Sequence, residues 1–221
     1  MAFRYRVLFS SLALALSLLA GPAQAVDFGL GLNVGSQGAG VSGTLGINEQ
    51  FAVRLGHNRF STSGDLEEDG VLYEVDVELA MTDLLIDWHP WAGPFRVSLG
   101  YVSNNSDLSG TATITQPVDF GGVVITDGRA TTELIFDESA YYLGVGWGNP
   151  TASEKGFTFA ADLGVVALGE PDFEITSVTA NSTVGNVPVS QANIDQEEQN
   201  VQDELEDYLY PVLRVGFVYA F

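Results

Sequence analysis

The sequence of 221 residues contains no cysteine and a single lysine, Lys155. Without cysteine the chain forms no disulfide and offers no thiolate as a nucleophile or metal ligand. The shortage of cations excludes nucleic acid as a partner, because phosphate binding depends on lysine and arginine. Metal-ligand spacings, a phosphate-binding glycine loop and a nucleophile elbow are also missing from the sequence, which therefore predicts no cofactor.

Long apolar runs are missing after the N-terminal segment. Residues 1–25 contain Arg4 and Arg6, then an apolar run over residues 7–20, then an Ala-x-Ala pattern that ends at Ala25. This order predicts a signal peptide cleaved after Ala25. A membrane anchor is the alternative, but the run is short for a membrane span. The rest of the chain has no apolar run of the roughly 18 residues that a membrane helix needs, so it would have to cross a membrane as strands.

Positive charge is scarce in the rest of the chain. Because Arg4 and Arg6 lie in the predicted signal peptide, six cations remain against 29 acidic residues, a net charge of −23. Such a chain favours divalent cations, bound at acidic loops, and basic surfaces as partners. An acidic proteome adapted to a saline habitat would explain the same composition. The sequence leaves both explanations open.

The last residues alternate with the period of a β-strand. Leu213, Val215, Phe217, Tyr219 and Phe221 share one apolar face. An apolar strand at a free sheet edge promotes aggregation of a soluble protein, whereas in a closed membrane barrel the same face contacts lipid. The pattern therefore predicts a barrel strand, with the edge strand of a soluble sandwich as the alternative.

Seven earlier segments alternate in the same way, and glycine is frequent on their second face. Small residues suit the narrow, side-chain-filled interior of an eight-stranded barrel. Short and long connections also alternate along the chain, except for the first. The sequence thus predicts an all-β fold for residues 26–221: an eight-stranded antiparallel transmembrane β-barrel with short periplasmic turns, longer extracellular loops and a short acidic helix within residues 191–209 of the last loop.

Two segments interrupt the regular alternation. Residues 61–70 are predicted to form an acidic loop, and the run from Asp65 to Asp69 could bind Ca²⁺ loosely, although it lacks the EF-hand pattern. A solvated loop without metal is the alternative. In the fourth strand, residues 71–88, the apolar residues change phase near Thr82, which predicts a β-bulge.

The end of the chain resembles a known sorting motif. Phe217, Tyr219 and Phe221 are similar to the C-terminal assembly signal of bacterial outer-membrane barrels, and residues 26–221 resemble the small OmpA/OmpW-like outer-membrane barrels. The resemblance implies a location in the cell outer membrane of a Gram-negative bacterium. It also implies outer-membrane lipid, lipopolysaccharide and the outer-membrane assembly machinery as partners. Because the loops have few cations, contact with lipopolysaccharide phosphates would need a bridging divalent cation.

Charged residues recur on the face predicted to point inward. A buried charge without a partner costs several kcal/mol, so these residues are expected to form a salt-bridged network. Carboxylates outnumber arginines in this set, which predicts that water or a cation enters the interior or that some carboxylates are protonated. The predicted interior network comprises Arg54, Arg96, Arg214, Glu74, Asp76, Glu78, Asp87 and Asp162.

The pattern favours a non-enzymatic barrel that acts in envelope integrity or in surface interactions through its acidic loops. A narrow cation-preferring channel or small-solute transporter is the first alternative, based on the excess of interior carboxylates. A lipid A-modifying enzyme is the second, because His57 falls on the lipid-facing side near Ser61 and Ser63. The other histidine, His89, lies in a predicted periplasmic turn and is expected to be structural.

Overall fold

The computed structural model describes residues 27–68, 71–149 and 155–221. These residues form an antiparallel all-β fold with one α-helix, which confirms the all-β prediction. In this part of the chain no helix is long and apolar enough to span a membrane. The predicted signal peptide, residues 1–25, lies outside the described residues.

Twelve strands and one α-helix follow one another along the described chain, with a single 3₁₀ turn, Val184–Asn186, before the helix. In chain order they are β1 (Phe28–Gly35), β2 (Gly38–Gly46), β3 (Phe51–Glu68), β4 (Val71–Trp88), β5 (Phe95–Asn104), β6 (Asp107–Ile114), β7 (Val118–Phe120), β8 (Val123–Ile135), β9 (Ser139–Trp147), β10 (Gly156–Gly169), β11 (Asp172–Thr183), α1 (Gln191–Gln202) and β12 (Tyr208–Ala220).

Eight of the strands pair in a succession that returns to its starting point. From β1 the antiparallel pairings lead through β2, β3, β4, β5, β9, β10 and β12, and β12 pairs again with β1. The start of β1 and the end of β12 lie together, since Gly29 is opposite Ala220. We call this the turn end, because β2, β4 and β9 also end there and β3, β5 and β10 begin there. The opposite end is the loop end.

A second sheet region, which we call the outer lobe, continues from two long strands at the loop end. Both β3 and β4 contain 18 residues, and residues 71–78 of β4 pair with β6. Next to β6 lies β8, which also pairs with β7 and β11. The lobe has its own apolar core, because one face of these strands is buried. The buried residues of this core are Ile114, Phe120, Ile125, Ala130 and Ile175.

The structure corrects two local predictions. The acidic loop predicted for residues 61–70 is largely β-strand, because β3 continues through Glu68. The β-bulge predicted near Thr82 is also wrong, since β3 and β4 pair in one register from Val71 to Trp88. The strand keeps its phase while its surroundings change: the face that is apolar beside Trp88 becomes polar in the outer lobe.

Helix α1 covers the free edge of the outer lobe. The side chains of Glu198 and Gln202 accept hydrogen bonds from the backbone N–H groups of Ile175 (2.7 Å) and Phe173 (3.0 Å) in β11. An edge strand with unpaired N–H groups is a template for pairing with another chain. The acidic helix predicted within residues 191–209 therefore exists in part of that range, and two of its polar side chains occupy hydrogen-bonding positions of the edge.

Replacing both side chains, in the variant Glu198→Ala/Gln202→Ala, is expected to expose the edge. Each lost hydrogen bond stabilises the edge by about 0.5–1.5 kcal/mol, so amide exchange at Phe173 and Ile175 should accelerate by roughly 2- to 10-fold. Hydrogen–deuterium exchange measures the effect. Asp195→Ala is the control, because Asp195 accepts its hydrogen bond from Gln191 within the helix (2.8 Å). Equal acceleration in both variants would contradict the assigned role of Glu198 and Gln202.

Candidate functional site

A cluster of buried charges lies inside the ring of eight strands, near the turn end. Arg54 on β3 forms a two-armed pair with Asp87 of β4 (3.0 and 3.1 Å) and another with Asp162 of β10 (2.9 and 3.1 Å). Arg96 on β5 also donates to Asp162, at 2.9 Å. Ser98 adds a hydroxyl that donates to Asp87. Four strands are therefore tied together by charge-assisted hydrogen bonds at one level of the interior.

A second ion pair lies closer to the loop end. Arg214 of β12 donates to Asp83 of β4 at 2.9 Å, and its guanidinium lies 5.5 Å from the centre of the Tyr142 ring. Asn58 also donates to Asp83, at 3.3 Å. Both members of the Arg214–Asp83 pair are almost fully buried. This pair and the four charged residues Arg54, Arg96, Asp87 and Asp162 together form what we call the buried charge cluster.

Glycines leave the space that the buried charge cluster occupies. A Cβ atom on Gly146 would lie 2.8 Å from both Arg96 Nε and Asp162 Oδ1. A Cβ atom on Gly56 would lie 2.8 Å from both carboxylate oxygens of Asp83. Real Cβ atoms do not approach other atoms so closely, so a larger residue at either position would displace a charged side chain. The frequent glycines on the inward faces of the strands thus have a steric cause.

The structure brings together five of the eight residues predicted for the interior network and places the other three elsewhere. The exceptions are Glu74, Asp76 and Glu78, which point away from the ring interior, into the surface of the outer lobe. The register of β4 explains the error, because these residues share the face of Trp88. Two of them form partly exposed pairs, Glu74 with Arg129 and Glu78 with Arg59. The five interior members are Arg54, Asp87, Arg96, Asp162 and Arg214.

Sequence reasoning missed Asp83. The spacing of the aspartates could have identified it, because Asp83 and Asp87 are four positions apart and so share a face of an unbroken strand. With Asp83 included, three arginines and three aspartates form the buried charge cluster, and the formal charges cancel. The carboxylate excess predicted for the interior is therefore absent from the buried residues that the structure describes.

An apolar layer, which we call the apolar plug, fills the interior between the buried charge cluster and the loop end. Gln37, in the β1–β2 turn, closes this layer from above and lies against Met81, with its side-chain nitrogen 2.9 Å from the sulfur. The cavity beside the buried charge cluster has a volume of about 30 Å³, enough for one water molecule. The plug consists of Met81, Leu85, Val102, Ala140, Tyr142, Val166, Leu168 and Val212.

The outward face of the ring is apolar and exposed. Leu32, Leu99 and Leu163 are exposed over 59–70% of their surface. At the turn end the ring is surrounded by aromatic side chains, including Trp88, Trp147 and Phe157. Several of these aromatic side chains form ring contacts, namely Phe28 with Phe221, Trp91 with Phe95, Phe157 with Tyr219, Phe159 with Phe217 and Tyr219 with Phe221. The predicted assembly signal, Phe217, Tyr219 and Phe221, therefore packs into the aromatic surface of the turn end.

The two histidines have different surroundings. His57 lies on the exposed outward face of β3, and its Nδ1 is 3.0 Å from the Thr82 hydroxyl. No hydrogen bond among the described residues joins it to Ser61 or Ser63, which follow farther along β3. His89 is buried after the end of β4, and its Nδ1–H donates to the Gly93 carbonyl oxygen at 2.9 Å. Burial lowers the pKa of His89 from its usual value.

A ring of strands with an apolar outer face and a filled, charge-paired interior is a membrane-barrel type of arrangement, and two solved structures resemble it. Acinetobacter baumannii CarO2 aligns with a TM-score of 0.58 and 19% identity over 90% of this chain and 100% of its own. CarO of the same organism aligns with a TM-score of 0.56 and 20% identity over 87% and 97%. No family model and no curated protein matches the sequence.

At these identities the similarity shows the fold and nothing about activity. The chain shares the fold of outer-membrane β-barrel proteins. The narrower OmpA/OmpW-like assignment stays a prediction. Binding of a divalent cation at the acidic loops also stays a prediction. Among the described residues, no group of three or more acidic or histidine side chains is arranged to hold a metal ion.

Replacing Asp162 with alanine is expected to destabilise the fold strongly. The change leaves Arg96 and one arm of Arg54 buried without their partner, which costs about 3–5 kcal/mol of unfolding free energy. Urea unfolding of the protein in detergent micelles measures the loss. The control Glu74→Ala removes a partly exposed pair with Arg129 and should cost at most about 1 kcal/mol. Similar losses of unfolding free energy in the two variants would contradict the conclusion that the buried charge cluster stabilises the fold.

The pH dependence of stability should report on His89. Because its folded-state pKa is lowered, the unfolded chain binds a proton more readily, and stability is lost as the pH falls below the unfolded value of about 6.5. Unfolding free energies at about pH 7.5 and pH 5.5 measure this loss. His89→Gln should flatten the dependence, whereas His57→Gln, which removes the exposed histidine, should leave it unchanged. An unaltered slope in His89→Gln would contradict the assignment.

Proposed function

We propose that this chain is a closed, eight-stranded outer-membrane β-barrel without enzymatic activity, which carries an acidic lobe on the cell surface. Its role would lie in envelope integrity or in surface interactions through that lobe. The observation that supports the proposal most strongly is the pairing of β12 with β1, which joins eight strands that are apolar outside and charge-neutral inside. Closure satisfies the backbone of every strand in the ring, as lipid requires.

The outward face supports a lipid environment. In water, large contiguous apolar surfaces promote association, so the exposed leucines and valines of the ring would be a liability in the periplasm. In a bilayer they contact acyl chains, and the aromatic residues at the turn end, such as Trp88 and Trp147, suit the interface region. A predicted signal peptide and a terminal aromatic motif agree with export and with insertion by the assembly machinery. Outer-membrane lipid and lipopolysaccharide are therefore the proposed surroundings.

The filled interior argues against the channel. An excess of interior carboxylates was the reason to consider a cation-preferring pore, and the three buried arginines balance the three buried aspartates. Beyond them the apolar plug adds Met81, Leu85 and Tyr142, all buried completely or nearly so. An ion crossing this interior would have to break the buried pairs and then enter an apolar layer, both at high cost.

The surroundings of His57 argue against a lipid-modifying enzyme. A serine nucleophile requires a histidine within hydrogen-bonding reach, and the histidine in turn requires an orienting group. His57 has the hydroxyl of Thr82 as its hydrogen-bond partner instead. The charge of the chain then points to the outer lobe as the functional surface, because its acidic residues, among them Asp65, Glu67 and Glu174, are exposed.

Two measurements on the protein purified from outer membranes test the proposal. The folded barrel should migrate differently on a gel before and after boiling, and it should produce no conductance steps in planar bilayers under conditions in which a general porin, added to separate bilayers as the positive control, does. Cation-selective steps from the unchanged protein would overturn the closed barrel, and recovery in the soluble periplasmic fraction would overturn its location.

A further inference from the structure

A cleft with a volume of about 620 Å³ opens at the loop end, between the ring and the outer lobe. Its floor is formed by Leu79, Met81 and Leu168, which are buried and lie at the top of the apolar plug. Its volume falls within the range of small-molecule sites, which are typically about 300–1,000 Å³ and mostly apolar. The cleft therefore ends on a sealed floor and is suited to holding a molecule rather than passing it on.

One side of the cleft is aromatic. The Phe136 and Tyr208 ring centres are 5.9 Å apart, and those of Tyr208 and Tyr210 are 6.4 Å apart. The Tyr210 hydroxyl donates to the Ser36 carbonyl oxygen at 2.6 Å, which fixes that ring against the β1–β2 turn. Three neighbouring rings offer π-faces, and such faces attract an organic cation within about 6 Å.

The same cleft carries negative charge at its rim. Glu204, Glu206 and Asp207 line it, and all three are exposed. No lysine or arginine belongs to its lining among the described residues. Apolar walls alone would bind any apolar molecule. Carboxylates without a cationic partner favour a positively charged ligand and disfavour an anion.

We infer that this cleft binds a small organic cation with an apolar body, of the quaternary ammonium or aromatic amine class. The cationic centre would lie between the aromatic side formed by Tyr208 and Tyr210 and the carboxylates of the rim. The apolar substituent would pack on Leu79 and Met81. This binding site goes beyond the proposed function, because binding needs the fold and the filled interior but not the membrane location.

Calorimetric titration with phenyltrimethylammonium tests the inference. The full chain is folded in maltoside micelles, since phosphocholine lipids would compete through their own quaternary ammonium groups. Phenyltrimethylammonium should bind, and binding should weaken as salt is added. The neutral isostere tert-butylbenzene and the anion benzoate should bind at least about tenfold more weakly, as expected for a site that selects by charge. Absence of binding, or equal binding of the cation and its neutral isostere, would overturn the inference.

Variants separate the aromatic contribution from the charge contribution. Tyr208→Leu keeps an apolar side chain without a π-face and should weaken the cation by roughly 2- to 30-fold. The triple variant Glu204→Gln/Glu206→Gln/Asp207→Asn should also weaken it. Its control, Asp65→Asn/Glu67→Gln/Glu174→Gln, removes the same number of charges from the exposed surface of the outer lobe and should bind as the unchanged protein does. Equal weakening in both triple variants would show general charge attraction and overturn the site, even where heat-dependent migration shows a folded barrel.

Discussion

The mutual neutralisation of Arg54, Arg96 and Arg214 by three aspartates is the constraint on which the interior depends. Each guanidinium is desolvated, so it is stable only where a carboxylate from another strand meets it. The arginines and aspartates are distributed over β3, β4, β5, β10 and β12. Correct pairing of the charges therefore requires correct registers among strands that are far apart in sequence, and a one-residue slip would turn a charge toward the outside.

The neutral interior and the acidic exterior are two separate features. The acidic residues that give the chain its large net charge lie mainly in the outer lobe and in α1, where water can solvate them. Inside the ring the charges balance and an apolar layer follows. The chain thus concentrates its negative potential on one end of the molecule, which also carries the aromatic cleft. A bound cation would be selected by the few side chains that line this cleft, not by the total charge of the lobe.

The sequence predicted the parts of the fold that have a constant environment. Alternation in β1, β9 and β12 indicated their faces correctly, because each strand has an exposed apolar face on one side and a filled interior on the other. It failed where one strand passes between two environments. In β4 the outward face is apolar at Leu84 and acidic at Glu74. The alternation of apolar residues in the sequence therefore changes phase, although the backbone of the strand has no irregularity. The outer lobe was not predicted either, because the pairing of β4 with β6 and of β6 with β8 depends on long-range contacts.

The two 18-residue strands, β3 and β4, belong to both the ring and the outer lobe without an interruption. A force applied to the lobe by a bound surface would run along their common axis and load many ladder hydrogen bonds at once, in shear. Separate hairpins joined by a flexible hinge would instead peel apart one bond at a time. The outer lobe is thereby mechanically continuous with the ring, so that a pull on the lobe would strain the ring as a whole before it detached the lobe.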